Sequence, residues 1–223
     1  AAGTDIWGSA DQFRYVYKSL PGDGSISARV DSLDVVHDWA KAGVMIRGSA
    51  TASSSMAFVA TTGNNGTRYQ YRLEDGVNAT SNDGAMDGIQ QTLAASPVWV
   101  KVERVGDELN GYYSQVQLDP NTGEEVDPNW VPMGENPVAV VMGEALVGMA
   151  VTSHTTAQHT VAVFSNVETS GAAGDWMEVH FGNHPNNDPA PMYVRLTDTA
   201  GKEKVIDHED PEATGIASWN EIS

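Results

Sequence analysis

His37-Asp38-Trp39-Ala40-Lys41-Ala42-Gly43-Val44-Met45-Ile46-Arg47 is the stretch that decides the fold. Its even positions carry Ala40, Ala42, Val44 and Ile46. Its odd positions carry His37, Trp39, Lys41, Gly43, Met45 and Arg47. Side chains alternate between faces along a strand, so a period of two with one apolar set predicts a strand with one face on a core. The same period recurs on both sides. Gln12 to Tyr17, Ser25 to Val30, Met56 to Thr61, Arg68 to Leu73, Leu146 to Ser153 and Thr160 to Val167 all read as strands. Between Trp99 and Arg104, Val100 and Val102 share one face, and Trp99, Lys101 and Glu103 share the other. Gly106-Asp107-Glu108 then turns the chain into Leu109 to Ser114.

Helical periodicity is nearly absent, with short helices expected only near Gly88 to Ala95 and Thr155 to His159. About ten strands at hairpin spacing predict an all-β fold, an antiparallel two-sheet β-sandwich of the jelly-roll kind. The sandwich is expected over residues 1–168, a small-residue linker over 169–175, and a partial β segment over 176–223. Strands are read at Trp176 to Phe181, Met192 to Thr197 and Lys204 to His208 in that segment. Three strands are too few to fold alone, so they either dock on the sandwich or belong to a module whose remainder is missing.

Composition narrows the function. The 223 residues hold 12 basic and 30 acidic side chains, a net charge of −18. That field repels phosphate backbones and anionic lipid, which argues against nucleic acid and membrane partners. No apolar run approaches the roughly 18 residues of a membrane span. A hydrophobic fraction of 40% is ample for a core. The absence of cysteine excludes disulfides, thiolate metal sites and cysteine nucleophiles. The opening Ala1-Ala2-Gly3-Thr4 has neither Met nor a signal core. With the acidity, this gives the expectation of a piece of a longer secreted or cell-surface protein.

The odd face of the opening stretch is the first candidate site. Imidazole, indole, ammonium and guanidinium groups are costly to bury and suit a sugar. Trp stacks on a pyranose, and cationic donors bond to hydroxyls or carboxylates. His37, Trp39, Lys41, Arg47 and Arg72 are therefore expected to line a ligand-binding wall. The competing reading is that Trp39 covers a sheet edge while Lys41 and Arg47 pair with local acids. Arg68, Gln70 and Arg72 share one face of their strand, and Tyr69 and Tyr71 share the other. His154 and His159 flank a Thr-rich corner and read as structural.

Calcium (Ca2+) is a candidate cofactor because hard oxygen ligands abound, with Asp5, Asp11 and Asn166 as candidate ligands. The run Asp119 to Asp127 spaces oxygens like a calcium loop but lacks the acid expected before its glycine, and reads as a hairpin insertion. No HExxH or His-x-x-x-His pattern supports zinc, and neither a Gly-x-Ser-x-Gly elbow nor a phosphate-binding loop occurs. Sandwich glucanases need two facing carboxylates, about 5.5 Å apart when retaining. The nearest match, Glu125-Val126-Asp127-Pro128-Asn129-Trp130, has Trp130 where the last acid should stand. Asn65-Gly66-Thr67 and Asn78-Ala79-Thr80 fit the glycosylation sequon.

A family likeness follows from ordered blocks: Asp5-Ile6-Trp7-Gly8, Phe13 to Tyr17, Gly22-Asp23-Gly24, Trp39 to Arg47, Trp99-Val100-Lys101, Tyr112-Tyr113-Ser114 and Gly148 to His154. Over residues 3–168 the chain resembles the concanavalin A-like lectin/glucanase superfamily, in a branch of bacterial secreted domains without an assigned activity. It departs in an enlarged excursion from Tyr112-Tyr113-Ser114 to about Gly143. Asn187 to Val194, Asp198 to Gly201 and His208 to Pro211 are similar to the middle of a galactose-binding-like jelly-roll module. The polar and aromatic strand face, without paired carboxylates, gives the expectation of a non-catalytic extracellular carbohydrate-binding or adhesion module with polysaccharide or glycan as partner. Two further readings stay open: a surface-layer scaffold contacting neighbouring domains or subunits, and a sandwich-class glycoside hydrolase or lyase.

Overall fold

A computed structural model describes residues 1–81, 96–134 and 136–181, together with backbone strands at 194–197, 203–206 and 217–218. Every regular element described is a strand. They are β1 (Arg14–Leu20), β2 (Gly24–Leu33), β3 (Lys41–Arg47), β4 (Met56–Thr62), β5 (Thr67–Arg72), β6 (Thr80–Ser81), β7 (Val98–Val105) and β8 (Glu108–Gln115). Then come β9 (Val131–Pro132), β10 (Val138–Ala139), β11 (Ala145–Thr152), β12 (Ala162–Ser170), β13 (Ala173–His180), β14 (Val194–Thr197), β15 (Glu203–Ile206) and β16 (Ala217–Ser218). In place of the expected helix at 155–159, Thr155 bridges Gly3 and residues 156–158 bend, and the expected helix at 88–95 lies outside the described residues.

Two antiparallel sheets make an all-β sandwich. The larger has the order β16-β13-β1-β11-β3-β4-β5-β6, and the smaller runs β10-β8-β7-β2-β12 with β9 on β8. The even positions of β3 meet the even-residue set of β2 and β7 between the sheets. Ile26, Ala28 and Val30 pack there with Ala42, Val44, Ile46, Val100 and Val102, all fully buried. Full burial of such side chains, about 1.5–3 kcal/mol each for the larger aliphatics, is the main force joining the layers. Tyr69 bridges them too: its hydroxyl donates to the Leu109 carbonyl at 2.9 Å. Gly111 makes room for that ring, since a Cβ there would stand 2.6 Å from it. The two-residue turn joining β7 to β8 uses Gly106 at φ 61°, the left-handed conformation the hairpin requires.

Two expectations need correction. First, the alternation begins at Lys41, not His37. Residues 37–40 form a turn in which the Ala40 N–H donates to the His37 carbonyl and the Trp39 N–H to His37 Nδ1, both at 3.0 Å. Second, residues 169–175 are no free linker. They end β12, turn at Gly171 (φ 71°) and begin β13, carrying the chain from the small sheet to the large one. β13 pairs with β1, Tyr15 against Val179 and Val16 against Glu178. The C-terminal segment thus docks on the sandwich at β13, while β14 and β15 pair with each other.

The outer face of the large sheet is covered rather than open. Tyr15 and Tyr17 of β1, Met45 of β3 and Met56, Phe58 and Ala60 of β4 build a second apolar cluster with Ile6, Phe13, Ala79, Ala150 and Phe181. The covering piece is the loop 5–12, closed by the Asp5–Gln12 bridge and tied down by Asp11 N–H to Ala52 O (2.8 Å) and Ala79 N–H to Gly8 O (2.7 Å). All seven residues of β3 are consequently buried. A strand buried on both faces still alternates, but between an apolar layer and a mixed one.

Candidate functional site

The loop 5–12 divides the outer face into two regions of different character. At the Arg47 end everything is sealed. Asp11, Arg47 and Arg72 have side chains with no exposure at all. Arg72 grips Asp11 with both terminal nitrogens, at 2.6 Å to Oδ1 and 2.9 Å to Oδ2. Arg47 reaches Oδ2 at 3.2 Å. The remaining donors go to backbone carbonyls of Gly8, Ser54 and Val77 from Arg72, and of Ser49 and Thr51 from Arg47. The Arg47 guanidinium also lies 5.1 Å and 4.5 Å from the Phe13 and Phe181 ring centres. Burial pulls its pKa down and Asp11 opposes that pull.

This arrangement corrects the expected wall. Arg47 and Arg72 face the predicted side of their strands, but their guanidiniums are spent on one carboxylate and on the carbonyls of Trp7, Gly8, Ser49, Thr51, Ser54 and Val77. It also corrects Asp11 as a calcium ligand, because two guanidiniums occupy its oxygens. Asp5 has its Oδ1 on Lys41, and Asn166 (φ 49°) sits on β12 of the opposite sheet. The three candidate ligands do not converge. Among the described residues no three His, Asp or Glu side chains cluster in a way that could hold a metal ion. In the run Asp119 to Asp127, Asp119 Oδ1 accepts the N–H groups of Asn121 and Thr122, and Leu118 bridges Glu125. That is a hairpin insertion. Glu125 turns away from Asp127's loop to accept the Trp99 indole N–H at 2.8 Å.

At the Lys41 end the outer face opens into a hollow of about 420 Å³, lined by Asp5, Trp7, Trp39, Lys41, Arg68, Gln70, Ser81 and His154. The sheet register explains the opening. Across the strands Gly43 lies beside Ala60, and Ala60 beside Arg68, so this row carries no bulk before Arg68. Trp7 (39% exposed) comes from the covering loop and half-buried Trp39 from the turn before β3. The Lys41 ammonium lies 6.0 Å from each indole centre, and the Arg68 guanidinium 5.7 Å from that of Trp39. These are cation–π distances. They hold both indoles upright as the walls of the depression.

Its polar groups are nearly all engaged. The Lys41 ammonium bonds Asp5 Oδ1 and, at 3.3 Å, the Ile6 carbonyl. Arg68 Nε donates to Asn65 O at 2.9 Å. His154, held at φ 57° where β11 ends, brings its Nδ1 to 3.2 Å from Asp5 Oδ2 without hydrogen-bond alignment, and its ring lies 4.3 Å from that of His37. Two buried atoms of the lining residues have no hydrogen-bond partner: His154 Nδ1, and Oε1 of Gln70, a residue only 4% exposed.

Of the expected wall, Trp39 and Lys41 thus meet at the hollow, and His37 stands behind it against His154. Trp7, Gln70, Arg68 and His154 join them. The Arg68-x-Gln70 alternation was the signal for two of these. Nothing local to Trp7 or His154 could have placed them there, because the β3 and β5 residues they meet at the hollow lie more than 30 positions away in the chain.

Burial lowers the Lys41 pKa more than Asp5 raises it. The unfolded chain therefore binds more protons as pH approaches 10.5 from below, and this group makes stability rise with pH in that window. Above about pH 10 burial acts oppositely on Tyr15 and Tyr69, whose phenols are raised, so the folded state holds more protons and stability falls. Lys41→Met is expected to flatten the rise below 10.5. Urea unfolding of both proteins across pH 7–10.5 checks this, and identical slopes would show that burial does not lower the Lys41 pKa.

No family model and no curated protein matches the chain. Among solved structures, it is similar to a functionally unknown protein from Saccharomyces cerevisiae, with a TM-score of 0.47 and 14% identity over 77% of this chain and 84% of that one. It is also similar to scytalido-glutamic peptidase with a transition state analog inhibitor, with a TM-score of 0.35 and 9% identity over 76% and 82%. The same peptidase with a peptide-based analog gives 0.33 and 11% over 80% and 82%. With TM-scores below 0.5, these likenesses carry no weight for the site.

Proposed function

We propose that this chain is a non-catalytic carbohydrate-binding module of a secreted or surface protein, with its ligand in the hollow between Trp7 and Trp39. The observation that carries the reading is a pair of indoles held around a recess of about 420 Å³, within the usual size range of small-molecule pockets. Exposed tryptophan is expensive to leave in water unless it has something to cover it. A pyranose offers a flat C–H face to an indole and hydroxyls to the rim. A hydrolase needs a second free carboxylate. Among the described residues lining the hollow the only acid is Asp5, and Lys41 engages it.

Titration with a panel of soluble oligosaccharides, followed by tryptophan fluorescence and calorimetry, tests the proposal. A saturable signal for at least one sugar is the expected result. Silence across the panel at millimolar sugar would remove the reading.

A further inference from the structure

We infer that His37 is a positioning residue for Trp39, and that the stacked pair His37 and His154 makes this wall of the hollow sensitive to acid. The wall is held while His37 is neutral and released when His37 takes a proton. That response stands on its own geometry, and only its consequence for binding rests on the glycan reading. The first argument is the proton pattern that the contacts require. His37 Nδ1 accepts the Trp39 N–H at 3.0 Å, so this nitrogen carries a lone pair and the ring proton is on Nε2. His154 is the reverse. Its Nδ1 is buried and lies 3.2 Å from Asp5 Oδ2. A lone pair there would face a carboxylate oxygen at close range, so the proton of the neutral ring belongs on Nδ1. A further proton therefore has opposite effects on the two rings. On His154 it goes to Nε2 and leaves the Asp5 contact in place. On His37 it goes to Nδ1, and an imidazolium has no acceptor left for Trp39.

The second argument is coupling. The two ring centres are 4.3 Å apart, so a charge on one imidazole resists a charge on the other. The surrounding groups differ for the two rings. His154 faces Asp5, whose Oδ1 is held by Lys41 and by the Ile6 N–H at 2.8 Å. Lys41 and Arg68 are the cations of the same lining, and the exposed His159 shares the corner. His37 is exposed and has Asp34 and Asp38 on its own segment. Asp38 Oδ1 accepts the Asn64 side-chain amide at 2.6 Å. The rest of the turn does not depend on His37 Nδ1. The Ala40 N–H reaches the His37 carbonyl, and the Asp38 carbonyl accepts the Asn64 N–H and the Asn65 side-chain amide. A proton on His37 thus frees Trp39 and leaves the turn docked.

NMR of the full chain tests this without any ligand. At about pH 8, above the imidazole range, long-range proton–nitrogen spectra should give the Nε2–H form for His37 and the Nδ1–H form for His154. Between about pH 8 and 5 the Trp39 amide should leave its hydrogen-bonded position. Its protection factor against solvent exchange should fall about tenfold, the upper worth of one hydrogen bond. His37→Asn keeps a side-chain acceptor two residues before the Trp39 N–H, as in an Asx turn, and does not titrate. It should hold the Trp39 signal flat across the range, while His37→Ala should show the released position at every pH. His154→Gln should move the change to higher pH, because the neighbouring charge is gone. A Trp39 amide that ignores pH in the wild type, or that follows pH equally in His37→Asn, would overturn the inference and leave the glycan reading untouched. So would His37 found in the Nδ1–H form. For an oligosaccharide of the panel that binds, Kd should rise about threefold from pH 8 to 5, since a loose wall must be ordered on binding, and stay level in His37→Asn. A level Kd in the wild type would overturn the consequence for binding. If no sugar binds, the glycan reading falls and the acid response of the wall remains.

Discussion

Replacing Asp11 by alanine is expected to destabilise the protein by about 3–5 kcal/mol, the usual cost of removing one partner from a buried ion pair. Two guanidiniums would then share a dry pocket with no counter-charge, since Asp11 is the carboxylate within reach of both. The loss should be larger than for any exposed pair, such as Lys101 with Glu103 on the small sheet, where about 0–1 kcal/mol is usual. Replacing all three residues by apolar ones should not restore stability. The guanidiniums also donate to the carbonyls of Gly8, Ser49, Thr51, Ser54 and Val77, and those bonds would be lost with them. Equilibrium urea unfolding decides the matter: a loss under 1 kcal/mol would mean that the clamp does not hold the loop. Because that loop carries Trp7, Asp11→Ala is also expected to loosen one wall of the hollow without touching the ligand.

The second large effect concerns binding. Trp39→Ala should weaken the glycan complex about 30-fold, equivalent to about 2 kcal/mol, as truncation of an aromatic hot spot does. The indole is half-buried in a turn outside the sheet, so the fold should survive with a small loss of stability. The change removes a stacking surface and also the ring on which the Arg68 guanidinium packs. Kd by calorimetry and unfolding by urea, measured on the same variant, separate the two consequences. Unchanged affinity would place the sugar elsewhere. A matching Trp99→Ala variant serves as the contrast, since Trp99 stands on the outer face of the small sheet beside Trp130 and Glu125.

Much of the fold was legible locally. Val98 to Val105 shows alternating buried and less buried residues from Val98 to Arg104, as its valines predicted. Lys41 to Arg47 places its even residues between the sheets, also as predicted. The odd face was harder. Its residue types are those of a binding wall, and equally those of a buried polar clamp. Alternation says which side a side chain takes and nothing about what lies over that side.

Chain-local physics, a two-residue repeat of apolar side chains broken by glycine turns, was enough to specify strands, their faces and a two-layer β architecture. Three-dimensional packing alone decided that one segment, residues 5–12, would fold over half of the outer face. That segment meets β3 and β5 across 35 to 65 positions of chain. Its Asp11 converts Arg47 and Arg72 into internal supports, while its Trp7 and Asp5 complete a recess around Lys41 and Gln70. Burial and charge neutralisation depend on which distant groups come within a few ångströms, and no periodicity within a strand encodes that.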